Sequence, residues 1–353
     1  MRNTMSFFAL FCRMSLMLLL IGLISACEHR QLVTPANKHF IRVYLDEHIR
    51  NVTHGFYNDT HSEHEIEYST PRVLRVALYD PMSARQVALG YLRQTGSDER
   101  GNYVEGYISA REGEYNMLIS KFDCVSTHLR DENMYDLVQV YTNPISQPIK
   151  NALHSTRDPF EPHVNILNEP DHFFLGSVKG IKLKDTPVPD TLYNADGDHF
   201  SAESIVYTYY LQINVKGAHH ISSASGYLSG FAGSVKLCDQ SLNLNDQVSI
   251  YFQLHSNHVS SRSDVTQAYA VFNTFGKLPD AESVLTAVFE FKASDGSVHI
   301  EKKEITHLFE TDMVKVNQWI ILDDVVEFES TSGDGGLEPN VGDWSTIYGD
   351  ITI

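Results

Sequence analysis

From Pro71 onward the chain alternates between short apolar or aromatic runs and clusters of turn-forming residues. Runs at 72–80, 86–92, 102–108 and 114–122 are separated by Asp80-Pro81, Gly96-Ser97-Asp98 and Arg111-Glu112-Gly113, side-chain types that reverse the chain tightly. A shorter run at 40–45 precedes them, and others follow at 248–254, 268–275, 285–291 and 319–322. The clearest is 205–216, where Ile205, Tyr207, Tyr209, Leu211, Ile213 and Val215 share one face and Thr208, Gln212, Asn214 and Lys216 the other. That period of two predicts a strand with one face in a core and one in water. No stretch keeps a helical period, although 134–140 and 222–232 have room for a turn or two. The pattern predicts an all-β chain of short-stranded sandwiches.

Near the middle, 184–201 is polar, with two prolines and an Asp-Gly step. Such a segment buries little and marks a boundary. It divides the chain into an N-terminal sandwich at 39–183, a linker at 184–203 and a C-terminal sandwich at 204–353. Residues 46–69 read as a long polar loop carrying His48, His54, His61 and His64, and 27–38 as a tether. The tail ends on Ile351-Thr-Ile353, with Trp344 upstream. It is expected to close the C-terminal sheet, since a loose apolar strand would be a sticky edge.

The first 26 residues carry Arg2 and Arg13, no acid, and an apolar run from Met14 to Ala26. Thirteen residues of helix reach about 20 Å, short of a bilayer's hydrocarbon core of about 30 Å, so the pattern is a secretory signal and not a span. Leu23-Ile24-Ser25-Ala26-Cys27 resembles the lipobox of bacterial lipoproteins. The resemblance implies cleavage before Cys27 and acylation there, palmitate-type chains included. Each buried methylene then contributes about 0.8 kcal/mol to membrane attachment. Cys12 leaves with the signal, so Cys124 and Cys238 alone could pair, and two separate buried thiols are the expected state.

Charge narrows the partners. Lys and Arg number 27 against 45 Asp and Glu, a net charge of −18, which repels nucleic acid and argues against binding it. The chain lacks a Gly-x-Ser-x-Gly elbow, a His-Glu-x-x-His helix, a phosphate-binding Gly-x-x-x-x-Gly-Lys loop and a Cys-x-x-Cys pair, so no nucleophile or base stands out. No enzyme activity and no cofactor are expected. The histidines of 46–69 lack a rigid support for a metal, and Asn194-Ala-Asp196-Gly197-Asp198 fails as an EF-hand because Ile205 stands where its twelfth-position Glu belongs. No metal site is expected. Tyr207 and Tyr209 belong to a core face, and Tyr210 points the other way.

Residues 72–80, 207–217, 272–279 and 342–353, behind a lipobox, resemble the uncharacterised lipoproteins related to the fimbrillin superfamily, the subunits and anchors of type V pili in anaerobic Gram-negative bacteria. The resemblance implies two tandem transthyretin-like or Ig-like β-sandwich domains at the outer membrane, surface-exposed and lipid-anchored at Cys27. It also implies partners among pilus subunits, joined by β-strand pairing. In that family an arginine-specific protease trims shaft subunits, which makes Arg42 and Arg50 candidate processing sites. The expected role is a fimbrial anchor or accessory subunit. The alternative is a surface lipoprotein that captures glycans, marked by an exposed aromatic platform beside a cleft.

Overall fold

A computed structural model describes residues 37–46, 70–157, 165–186, 188–257, 265–279 and 284–328. The chain is all-β. In order come β1 (Asn37–Asp46), β2 (Leu74–Tyr79), β3 (Gln86–Leu92), β4 (Gln94–Asp98), β5 (Gly101–Ala110), β6 (Gly113–Lys121), β7 (Thr127–Arg130) and β8 (Gln139–Thr142). Then follow helix α1 (Gln147–Ala152), β9 (Ile166–Leu167), β10 (Phe174–Leu183), β11 (Asp190–Thr191), β12 (Phe200–Ser204) and β13 (Tyr207–Lys216). The remainder is β14 (Ile221–Ala232), β15 (Ser234–Lys236), β16 (Gln247–Gln253), β17 (His255–Asn257), β18 (Val265–Thr274), β19 (Thr286–Ala293), β20 (Val298–Glu304), α2 (Asp312–Asn317) and β21 (Trp319–Glu327).

A nine-stranded sheet runs β3-β2-β6-β10-β12-β1-β5-β4, with β11 also on β1. β3 and β4 lie at opposite ends of that order, yet only Arg93 separates them. The sheet therefore curls until its ends meet. At the meeting point a side chain on Gly90 would stand 2.7 Å from Ile108 Cγ2, and one on Gly106 would stand 3.2 Å from the Leu92 Cα. Two glycines let β3 and β5 cross at this distance. Inside lies a core from Ile41, Val43, Leu74, Val76, Ile119 and Phe174, among others.

The segment 184–203, read as a linker, contributes β11 and β12, both paired parallel to β1. Its polar composition hides three core residues, Leu192, Phe200 and Ala202. These three side chains hold the segment against the first sheet as far as Ser204.

The C-terminal half stacks a β17-β18-β13-β21 sheet on a β20-β19-β14-β16-β9 sheet. Tyr209, Leu211, Ile213 and Val215 meet Phe289, Phe291 and Ile250 between them, and Phe252 stacks on Phe272 at 4.8 Å. Two expectations need correction here. The second face of β13 is not in water: Thr208, Tyr210 and Gln212 are buried. Tyr210 lies against Tyr269 and Trp319 from the flanking strands, and its hydroxyl donates to Gln212 Oε1 at 2.9 Å. Large aromatic neighbours cover the shorter polar side chains, which bond to one another. Residues 222–232, offered for a helical turn, form most of the central strand β14. Small residues suit that place because a side chain on Gly226 would stand 2.5 Å from the Val288 carbonyl oxygen.

Residues 124–157 and 165–171 tie the two halves together. β8 pairs with β15, β9 pairs with β16, and α1 lays Ile145, Ile149 and Leu153 over Tyr227, Tyr251 and Val288 on the outer face of the second sandwich. Ala77, Tyr79 and Leu118 from the first half share a further core with Val206, Val235 and Phe275 from the second.

Candidate functional site

Arg42 sits in the middle of β1, whose residues pair with β5 from Asn37 to Tyr44 and with β12 from Val43 to Asp46. Its guanidinium donates to Glu105 Oε2 at 2.7 Å, approaches Asp98 Oδ2 at 3.4 Å, and lies 4.0 Å over the Tyr103 ring. Tyr44 donates to the same Asp98 oxygen at 2.7 Å. That bond and the Arg100 amide hold the Asp98 carboxyl below its usual pKa. Arg100 covers Tyr44 at 4.5 Å and grips Asp198 with both terminal nitrogens, at 2.5 and 2.9 Å. β1 is thus held along both edges and clamped across its outer face. A protease needs extended, unpaired backbone, so cleavage at Arg42 requires β1 to leave the sheet first. Arg50, Cys27 and the four histidines of 46–69 lie outside the described residues, as do Trp344 and Ile351-Thr-Ile353.

Asn194 to Asp198 form a closed turn. Asn194 Oδ1 accepts from the amides of Asp196 and Asp198, and Gly197 adopts φ 80°. Asp198 serves the Arg100 ion pair. Among the described residues no three His, Cys, Asp or Glu side chains converge as a metal-binding group. A polar cleft of about 470 Å³ opens between Thr70–Arg72 and the β4–β5 hairpin. Its aromatic wall, Tyr103, offers no free platform: Arg42 covers one face, and the ring tip rests where a side chain at Gly96 would stand.

Two carboxylates fix the segment that crosses between the halves. Asp171 Oδ2 accepts from the amides of Val125, Ser126 and Thr127 at 3.0, 2.8 and 2.9 Å and from the Ser126 hydroxyl at 3.0 Å. Burial raises its pKa, but the bonds from Ser126 and Thr127 together outweigh burial, and the net shift is downward. Glu290 on β19 is 6% exposed and accepts from the amides of His154 and Ser155, each at 2.8 Å, and from the Ser155 hydroxyl. Cys124 and Cys238 carry free thiols, and both pack against the shared core. Burial pushes the Cys124 thiol up to about 12, which keeps it protonated and unreactive.

The sheet edges differ in kind. β20 carries four charged residues in a row, Glu301, Lys302, Lys303 and Glu304, and β17 and β9 are three and two residues long. Charge and shortness both discourage pairing with another chain. β21 ends its sheet among the described residues with nine residues, Trp319-Ile-Ile-Leu-Asp-Asp-Val-Val-Glu327, and leaves Val325 45% exposed. It is the long apolar edge of the set. The apolar run at 319–322 marks the start of β21 in the sequence but not its place in the sheet.

Residues 64–253 match the family described as "Domain of unknown function (DUF5119)". The chain belongs to the DUF5119 family. No curated protein matches it. Among solved structures, this DUF5119 chain is similar to a candidate adhesin from Bacteroides ovatus, with TM-score 0.53 and 17% identity over 85% of this chain and 95% of that one. That match shows a shared fold. Also similar are a second B. ovatus candidate adhesin, with TM-score 0.45, 12% identity and coverage of 86% and 91%, and the fimbrial anchor protein Mfa2 from Porphyromonas gingivalis. For Mfa2 the TM-score is 0.42 and the identity 11%, over 80% of this chain and 89% of that one. The structures this DUF5119 chain is similar to are thus described as adhesin candidates and a fimbrial anchor protein.

Proposed function

We propose that this DUF5119 protein is an outer-membrane lipoprotein of the cell surface, acylated at Cys27, that serves as a fimbrial anchor or accessory subunit and joins other pilus subunits by β-strand pairing. β21 carries this reading: among the described residues it is a long strand at a sheet edge, and such an edge offers a row of amides and carbonyls that an incoming strand satisfies. The clamped β1 supports an untrimmed subunit whose first strand stays in place. The fold shared with a candidate adhesin agrees with a structural, non-enzymatic role. Two sandwiches in tandem, the first extended through β12, give such a subunit one end near the membrane and another for assembly.

The test joins lipid and partner. A photo-crosslinking residue at Val325, on intact cells of the native host, is expected to capture another envelope protein, while the same group at the 97% exposed Met82 captures none. Cys27→Ser is expected to abolish fatty-acid labelling and to release the protein from the membrane fraction. Labelling that persists in Cys27→Ser removes the lipoprotein reading. Equal capture, or none, at both crosslinking positions removes the strand-pairing one.

A further inference from the structure

Against β21 lies a pocket of about 200 Å³ walled by Leu308, Met313, Val314, Trp319 and Ile321, with Thr311 and Asp323 completing the lining. No residue of β13, the strand that β21 pairs with, takes part. The pocket therefore opens on the unpaired side of β21, where an added strand would run. Trp319, Ile321 and Asp323 alternate along one face of β21, so a neighbour paired there turns every second side chain toward that face.

The two polar residues of the lining differ in what they have to spare. The Thr311 hydroxyl is spent within its own turn, donating to the Leu308 carbonyl at 2.6 Å and accepting from the Val314 amide at 3.4 Å. Asp323 is exposed and, among the described residues, has no ion pair or hydrogen bond. The other acids of the strand are matched: Asp324 takes Lys303 at 3.0 Å, and Glu327 takes Lys216 at 3.1 Å. One carboxylate is left over beside an apolar hollow. That pairing selects an apolar stem with a cationic head, the build of a Lys or Arg side chain. The Trp319 ring on the wall adds the attraction of an aromatic face for a cation. The volume falls below the range of about 300–1,000 Å³ usual for small-molecule sites, so it suits one side chain of a larger partner. Charge disfavours this chain's own residues 329–353 as that partner, since they carry Glu329, Asp334, Glu338, Asp343 and Asp350 and no Lys or Arg.

We propose that β21 selects a strand bearing a Lys or Arg aimed at this pocket, the stem against Trp319 and Ile321 and the charge on Asp323. This selection rests on strand pairing at β21 and adds to it the chemistry of the partner. The probe is a fluorescently labelled peptide, Thr-Val-Thr-Val-Arg-Val-Thr-Val-Thr, titrated by anisotropy against the purified full-length chain, with Gln or Glu in place of its arginine as controls. The arginine peptide is expected to bind, the glutamine peptide to bind at least about fivefold more weakly, and the glutamate peptide to show no binding. Asp323→Asn is expected to erase the preference for arginine over glutamine, and Asp323→Lys to reverse the preference between arginine and glutamate. Both variants should keep the thermal midpoint, since Asp323 is exposed and unpaired. Equal binding of the three peptides overturns the proposal and leaves strand pairing standing. An arginine preference that survives in Asp323→Asn does the same. If no peptide binds, the proposal falls, and capture at Val325 decides separately whether β21 pairs at all. Binding that appears only after residues 329–353 are deleted makes that segment the occupant and also overturns it.

Discussion

Replacing Asp171 with Ala is expected to lower stability by about 3 kcal/mol, read as a fall in the urea midpoint at neutral pH. The substitution strips one acceptor from three backbone amides and a hydroxyl at the start of β7, and the backbone groups cannot rotate toward water. Asp171→Asn keeps a neutral acceptor and is expected to lose about half as much, since bonds to a charged acceptor are roughly twice as strong. The effect has a pH signature. The folded-state pKa lies below the usual 3.8, so the stabilisation is complete above that value and is lost as pH falls through the folded pKa. The gap between wild type and Asp171→Ala should therefore close in strong acid. A gap that stays constant from neutral pH to strong acid would show that Asp171 acts by shape and not by charge.

Glu290→Ala is expected to cost a similar amount, about 3 kcal/mol, because His154 and Ser155 lose the acceptors that hold the chain after α1 to the outer face of β19. Its consequence is local as well as global. Hydrogen exchange should accelerate at 145–157, where Ile149 and Leu153 seal the outer face, before it accelerates in β13 or β14. Glu290→Gln retains one acceptor oxygen and should recover part of the protection. Uniform acceleration across both sandwiches would mean that the α1 segment is not a separate unit of stability.

Both carboxylates show where sequence reading stops. Alternation found β13 and β18 because each has a core face and enough length to display a period, whereas the apolar run at 319–322 marked only the first four residues of β21. β14 escaped it because close approach to β19 favours Ser, Ala and Gly, which carry no hydrophobic signal. β7, β8 and β15 are three or four residues long, and β8 finds a partner, β15, nearly a hundred positions away, so local pattern could not place them. Asp171 and Glu290 look like any surface acid in the sequence. Only the fold brings the amides of 125–127 to one and those of 154 and 155 to the other. Arg42 was legible as a residue type a protease could recognise, whereas its place under Glu105 and Asp98 was not.

The placement of β1 also sets the tempo of folding. Val43 pairs with Val104 on one side and with Phe200 on the other, so the first of the described strands cannot complete its sheet until some hundred and fifty further residues are available. Loops of that length must close before any contact rewards them, which makes non-local β topologies fold in milliseconds to seconds and not microseconds. During that interval the apolar face of β1 is open to any passing strand. On the proposed reading, a chain tethered at Cys27 spends this vulnerable period beside the membrane, where the proposed pilus subunits are most concentrated.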